Sequence, residues 1–209
     1  MSLLTMTVQV CRRIGSITAP TTVSGSADPA IIQLMALANE EGQDLSSRYP
    51  WQSLQNESTF VTVATEAQGT ITSLFGAGFR YILNDIMWDR TLIRPIFGPL
   101  VPFQWQQLKA QSMTGPFYQF RIRGSSVKFI PVPSAGDTIA AEWISKYWAT
   151  GAGGDASTYA ADADTSYLDE EIMTLGVVWR FKASKGLDYA EDMNNYEVEV
   201  AKAITRDGA

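Results

Sequence analysis

Glu142 is the carboxylate in this chain best placed to do chemistry. It stands beside Trp143 and near Tyr147 and Trp148. Aromatic rings of that kind accompany sugar sites, and a pair of carboxylates suffices for glycoside hydrolysis, one as acid and the other as base or nucleophile. Asp137 and Asp89 are the candidate partners. The plainer reading is that alternation along TIAAEWISKYW puts Glu142 on the outward face of a strand whose inward residues are apolar.

Other constellations fall short of a site. Asp162, Asp164 and Ser166 have the odd-position spacing that opens a calcium loop, but Tyr167 stands where the turn glycine belongs and Met173 where the bidentate glutamate belongs. Gly76-Ala77-Gly78 and the Gly151 to Gly154 cluster lack the remainder of any phosphate-binding pattern, and no Gly-Lys-Ser/Thr occurs. Asn56-Glu57-Ser58 matches a glycosylation acceptor, which carries no weight without a secretory signal. In MSLLTMTVQVCRRIG the charges follow the apolar residues, the reverse of a signal peptide. The absence of histidine removes hydrolase triads, Cys-His dyads and most zinc sites together. Cys11, the single cysteine, cannot form an internal disulfide. No cofactor is expected, and a non-enzymatic role is favoured.

At 209 residues and 45% apolar content the chain can bury a substantial core. Its formal charge of −6 argues against gripping nucleic-acid phosphate along its whole surface. Arg121, Arg123 and Lys128 make one local basic patch, too thin for strong nucleic-acid binding but suited to pairing between subunits. The acidic run from Asp162 to Glu171 has the complementary charge. No run approaches about 20 apolar residues, so no membrane span is expected, and synthesis in the cytoplasm is.

The elements that must position these residues read as helices, then strands, then helices. Leu4, Val8, Cys11 and Ile14 fall at helical spacing before Gly15. Asp28-Pro29 starts a second helix with the stripe Ile31, Met35 and Ala38, a weak point at Gly42 and a stop at Pro50. From Ser58 to Trp148 the period becomes two, through STFVTVA, TITSL, RYILNDIMW, YQFRIRG, SVKFIPV and TIAAEWISKYW, with WQQLKAQ a short helix among them. In YQFRIRG, Tyr118, Phe120 and Ile122 share the face opposite Gln119, Arg121 and Arg123. Pro131 and Pro133 lack backbone donors and close a strand, and Gly136-Asp137 turns the chain into the next strand of a meander. Thr150 to Asp164 reads as an exposed loop. Ser166 is then expected to cap a helix with the stripe Leu168, Ile172, Leu175 and Trp179, acidic at its start and basic at its end. Tyr189, Met193, Tyr196, Val200 and Ile204 form a second helix, antiparallel to the first across KGLD.

The segment YAADADTSYLDEEIMTLGVVWRFKASKGLDYAEDMNNYE resembles the C-terminal part of bacteriophage head-to-tail adaptor (connector or neck) proteins. Its signature is Trp179, Arg180, Phe181, Lys182, Lys185, Gly186, Leu187, Asp188 and Tyr189, followed by Ala190 and Glu191. Upstream, Asp28-Pro29, Ala38 to Gly42, Trp88-Asp89-Arg90 and Trp105-Gln106 extend the likeness. The resemblance implies an α+β fold in which N- and C-terminal helices form a bundle around an inserted antiparallel β-rich domain. The expected parts are 1–55 and 167–209 for the bundle, 56–149 for the β-rich domain and 150–166 for an acidic Gly/Ala/Asp loop. The resemblance further implies a viral structural protein of the virion neck, in a closed ring of about twelve subunits between the portal protein and the tail or nozzle proteins. Genomic DNA would pass through its channel at ejection without specific binding, unhindered by an acidic lumen. Packing is implied for Trp179, Phe181 and Tyr189, and pairing between helices or subunits for Arg180, Lys185 and Asp188. The tail after Ile204 is expected to order on the portal. The alternative is a carbohydrate-binding or cell-wall-degrading virion component built on the β-region, and a tail-tube or capsid subunit is a third reading.

Overall fold

The computed structural model describes residues 1–111 and 115–208. The fold is α+β, with six α-helices, a seven-stranded sheet and a small three-stranded sheet among those residues. Two compact units divide it: residues 1–54 with 146–209, and residues 55–145.

The first unit is helical. Helix α1 (Leu3–Ile14) starts at a Ser2 cap and ends at Gly15. It buries Leu3, Met6, Thr7, Val10 and Cys11; of the expected stripe Leu4, Val8, Cys11 and Ile14, only Cys11 is buried and the other three lie one step round from the buried face. Helix α2 (Pro29–Arg48) begins where Asp28 Oδ1 accepts a hydrogen bond from the Ala30 amide at 2.8 Å, with proline in the first turn. Gly42 is no weak point: it lies in contact with the indole of Trp148. Helices α5 (Glu170–Ser184) and α6 (Ala190–Asp207) complete the bundle, and α5 touches α1, α2 and α6. That central position explains why Ile172, Met173, Thr174, Gly176, Val177, Val178 and Phe181 are all buried rather than a single stripe. The cap of α5 is Asp169, whose Oδ1 accepts from the amides of Glu171 and Ile172, and not Ser166. On α6, Tyr196, Val200 and Ala203 face inward while Tyr189 and Met193 stay largely exposed. The residues after Ile204 form the last turn of α6, and Asp207 Oδ2 accepts from the Gln52 amide at 2.9 Å; Ala209 lies outside the described residues.

Residues 150–166, expected as a loop, carry strand structure. β8 (Ala149–Gly151) pairs with β9 (Gly154–Ala156) and with β10 (Thr165–Ser166), and Ser2 bridges to Thr165. Aspartates hold the connections. Asp164 Oδ2 accepts from the amides of Ala160 and Ala161, while Asp162 takes the Thr22 hydroxyl and the amides of Val23 and Ser24. Short apolar runs gave no strand period, because these strands are ordered by aspartate hydrogen bonds and by Tyr159 packing on Trp148 at 4.9 Å. The bonds from Ser24, Thr22 and Val23 depress the Asp162 pKa from 3.8 to about 2. A depressed folded-state value stabilises above the unfolded pKa and is lost as pH falls through the folded one. Protection of the Val23 and Ser24 amides from hydrogen exchange should therefore fall between about pH 4 and pH 2, and Asp162→Asn should abolish that step.

The second unit is a curled sheet in the order β1-β7-β3-β4-β5-β6-β2, formed by β1 (Gln55–Val61), β2 (Ala67–Thr70), β3 (Phe79–Asp89), β4 (Arg94–Phe97), β5 (Gln119–Arg123), β6 (Ser126–Ile130) and β7 (Thr138–Ser145). All pairings are antiparallel except β4 with β5. Its core holds Ile82, Met87, Ile96, Phe120, Val127, Phe129, Ile139 and Trp143. Phe60 on β1 reaches Phe75 and Phe129 at 6.2 Å, so the two ends of the sheet share that core. TITSL is not a strand: Thr70 and Ser73 form a reciprocal capping box that starts helix α3 (Ile71–Phe75). Helix α4 (Pro102–Ala110) covers the expected WQQLKAQ and buries Trp105. TIAAEWISKYW ends as a strand at Ser145, so the β-rich unit stops short of the expected residue 149.

The meander expectation fails at β7. This strand lies between β1 and β3 and does not pair with β6. β6 is already bonded on both sides, by β5 and β2, and Pro131 has no donor to extend it. Gly136, at φ 106°, makes the turn, with its amide bonded to Thr62 O at 3.0 Å. At the β3–β4 turn Ile93 is held at φ 53° although its side chain is 77% exposed. A β-branched residue in the left-handed region is strained and has no packing here to offset it, so Ile93→Asn should raise the stability of this unit by about 1 kcal/mol. A lower denaturation midpoint for the variant would contradict this.

Candidate functional site

The signature segment lies on the α5–α6 hairpin, and its central member is Arg180. Its Nε donates to Glu41 Oε2 at 2.7 Å, Nη1 to Glu40 Oε1 at 3.0 Å and Nη2 to Asp44 Oδ2 at 2.8 Å. Its pairing is thus between helices α5 and α2 of the same chain. Glu41 is 0% exposed, and its other oxygen accepts from the Tyr196 hydroxyl at 2.7 Å. Gly176 makes the room, since a Cβ there would lie 2.2 Å from the Glu41 carboxyl carbon. Asp44 is shared with Arg48, which also binds both oxygens of Glu197 at 2.8 and 2.9 Å. The network ties α2, α5 and α6 together.

Burial raises the Glu41 pKa, against the lowering pull of the Tyr196 and Arg180 hydrogen bonds. Burial, then the neighbouring Glu41, raises that of Tyr196, which stays a donor at any working pH. Arg48 and Arg180 are held protonated; for both, burial works against the charge, and the carboxylates around them outweigh it.

The remaining signature residues have mixed placements. Trp179 sits 6.3 Å from Tyr189 and 6.1 Å from Tyr196, with the Arg180 guanidinium 4.7 Å over its ring. Its indole nitrogen is buried without a hydrogen-bond partner among the described residues. Phe181 is buried, and Lys185 lies 5.3 Å over its ring. Lys182 pairs with Asp192 at 2.5 Å across the hairpin. Asp188 Oδ1 accepts from the Ala190 amide and so starts α6. Lys185, Gly186, Leu187, Asp188 and Tyr189 are exposed.

Sequence reasoning missed Glu41 and Tyr196 as partners of Arg180. A signal was present: Leu34, Ala38, Glu41 and Leu45 share one stripe of α2, and a glutamate at an apolar stripe position needs a buried cation.

The carboxylates weighed for glycoside chemistry are not brought together. Asp89 faces the core side, where its Oδ1 accepts from the amides of Thr91 and Leu92 and Arg94 stands 3.5 Å away. Asp137 is buried at the start of β7. Glu142 is on the outer face, directly opposite Glu57 of β1. A cleft of about 290 Å³ opens there, lined by Glu57, Trp88, Arg90, Ala140 and Glu142 beside a bulge in β3 at Asn84 and Asp85. Arg90 pairs with Glu57 at 2.5 Å. Both glutamates are exposed, whereas an acid catalyst for glycosides is desolvated by apolar walls.

Of the basic patch, Lys128 binds Glu66 at 3.0 Å, with Lys109 on the other oxygen, and the two together hold the Glu66 pKa below the usual carboxylate range. Arg121 sits opposite Lys128 and Arg123 opposite Ser126. The acidic run proposed as their complement is largely occupied: Asp162 and Asp164 hold backbone amides, Asp169 caps α5, and Glu171 pairs with Arg13 at 3.3 Å. Among the described residues, no group of three or more His, Cys, Asp or Glu could hold a metal ion, and no helix is long and apolar enough to cross a membrane. No family model matches the chain, and no curated protein matches its sequence.

Proposed function

We propose that this chain is the subunit of a bacteriophage head-to-tail adaptor, a ring in the virion neck between the portal protein and the tail or nozzle proteins. One observation carries the reading. The helices before residue 55 and after residue 145 build one unit, with the sheet unit inserted between them in sequence, and the 179–189 segment forms the end of α5 and the turn into α6. That is the architecture the adaptor resemblance implies, with its signature where a helix hairpin closes the bundle. The net charge of −6 supports a lumen that repels phosphate and lets DNA slide.

Electron microscopy of the purified chain with and without its portal tests the reading. A closed ring of about twelve subunits with a central hole is the expected result. Open-ended polymers would point to a tail-tube or capsid subunit instead. Binding to peptidoglycan, or release of fragments from it, would favour the carbohydrate reading and overturn the adaptor one.

A further inference from the structure

We propose that the Glu57–Glu142 cleft on the sheet unit is the socket for the β5–β6 hairpin of a second copy of this chain, with Arg121 and Arg123 as the inserted cations. This rests on the ring reading and names the contact that would join neighbouring sheet units.

The socket has the chemistry of a guanidinium site. Glu57 and Glu142 are directly opposed on neighbouring strands, an arrangement that is unfavourable for like charges unless a cation sits between or beside them. Arg90 answers only one of the two, leaving Glu142 without an ion pair among the described residues. Ala140, two residues from Glu142 on the same face of β7, keeps the floor low. Trp88, opposite Ala140 on β3 and 44% exposed, supplies an aromatic wall on which a guanidinium stacks. The bulge at Asn84 and Asp85 sets that wall apart from a regular sheet surface.

The occupant is identified by charge. Seven arginines and lysines lie in residues 55–145: Arg80, Arg90, Arg94, Lys109, Arg121, Arg123 and Lys128. Arg90, Arg94, Lys109 and Lys128 are in ion pairs and Arg80 has a partner. Arg121 and Arg123 alone of the seven have none among the described residues. They project from the same face of β5, beside a two-residue turn at Gly124 and Ser125. Socket and hairpin occupy different strands, β1-β7-β3 against β5-β6. The two surfaces are distinct, so their contact can repeat head-to-tail, and a head-to-tail contact closes into a ring where the rotation between neighbours allows it.

A charge-swap experiment on the full chain tests this. One variant carries Arg121→Glu and Arg123→Glu, the other Glu142→Lys. Self-association is followed by sedimentation and by negative-stain microscopy up to millimolar protein at low salt. Each variant alone should associate about tenfold more weakly than the wild type. An equimolar mixture should recover association, because each reversed hairpin then meets a reversed socket and each native hairpin a native one. Recovery in the mixture excludes misfolding as the cause of the single losses. Wild-type chains that stay monomeric throughout, or rings that neither variant weakens, overturn the socket and leave the adaptor reading standing. Loss and recovery in open filaments instead of rings would support the socket and overturn the adaptor reading.

Discussion

Arg180→Ala is expected to destabilise the helical unit by about 3–5 kcal/mol, because it leaves the Glu41 carboxylate buried without its cation. Glu41 is wholly buried, and after truncation only the Tyr196 hydroxyl remains on it. Glu40 and Asp44 lose a shared partner as well, although both are more exposed and contribute little by comparison. The loss should therefore track Glu41, which a second variant checks. Glu41→Gln in the Arg180→Ala background removes the uncompensated charge while keeping the shape, and should restore a large part of the stability. Denaturant unfolding followed by helical circular dichroism measures both. A cost below about 1 kcal/mol for Arg180→Ala would mean that the pair behaves as a surface bridge. The pH dependence has a definite sign. Burial raises the Glu41 pKa above its ordinary 4.5, so its contribution is fully present below that value and declines as pH rises through the folded one. Glu41→Gln should flatten this slope, which runs opposite to that of Asp162.

Gly42→Ala is the second large effect, and its sign is the informative part. Within an exposed helix the change from glycine to alanine stabilises by about 1 kcal/mol. At Gly42 a Cβ would lie 2.4 Å from the Trp148 ring, which is 1% exposed and packed edge-on against Tyr159. The ring has nowhere to move, so overpacking of about 1–3 kcal/mol or more should replace the usual gain. Combining Gly42→Ala with Trp148→Phe frees part of that space, and the double variant should be less damaged than the two single losses added together. Strict additivity would show that the contact is not the cause. Gly176→Ala should behave similarly, with the Glu41 carboxyl in place of the indole.

The local code was legible where a residue acts on its own neighbours. Asp28-Pro29 at the start of α2, Gly15 at the end of α1 and the two-faced pattern of YQFRIRG needed only the chain itself. It failed where hydrogen bonds from polar side chains, rather than the period of apolar residues, set the conformation. TITSL has strand residues, yet Thr70 and Ser73 satisfy one another as a cap and the segment folds as helix. Thr150 to Asp164 looks like a linker because its order comes from aspartates gripping amides rather than from apolar burial. The candidate carboxylates separated for a related reason. Asp89 and Glu142 are both strand residues, but strand alternation and register send one to the core face and the other to the outer face.

Composition and local spacing dictate the order of helices, strands and helices and the overall negative charge. Each depends on composition or on spacings of a few residues, which act before any long-range contact exists. Long-range contacts alone establish that Arg180 answers a buried Glu41, that β7 inserts between β1 and β3, and that Glu57 stands directly opposite Glu142 on the neighbouring strand. These pairings join residues from about 50 to 140 positions apart. Many such pairings are compatible with the same local pattern. The one adopted is chosen by which arrangement buries the apolar faces while leaving the fewest polar groups unpaired.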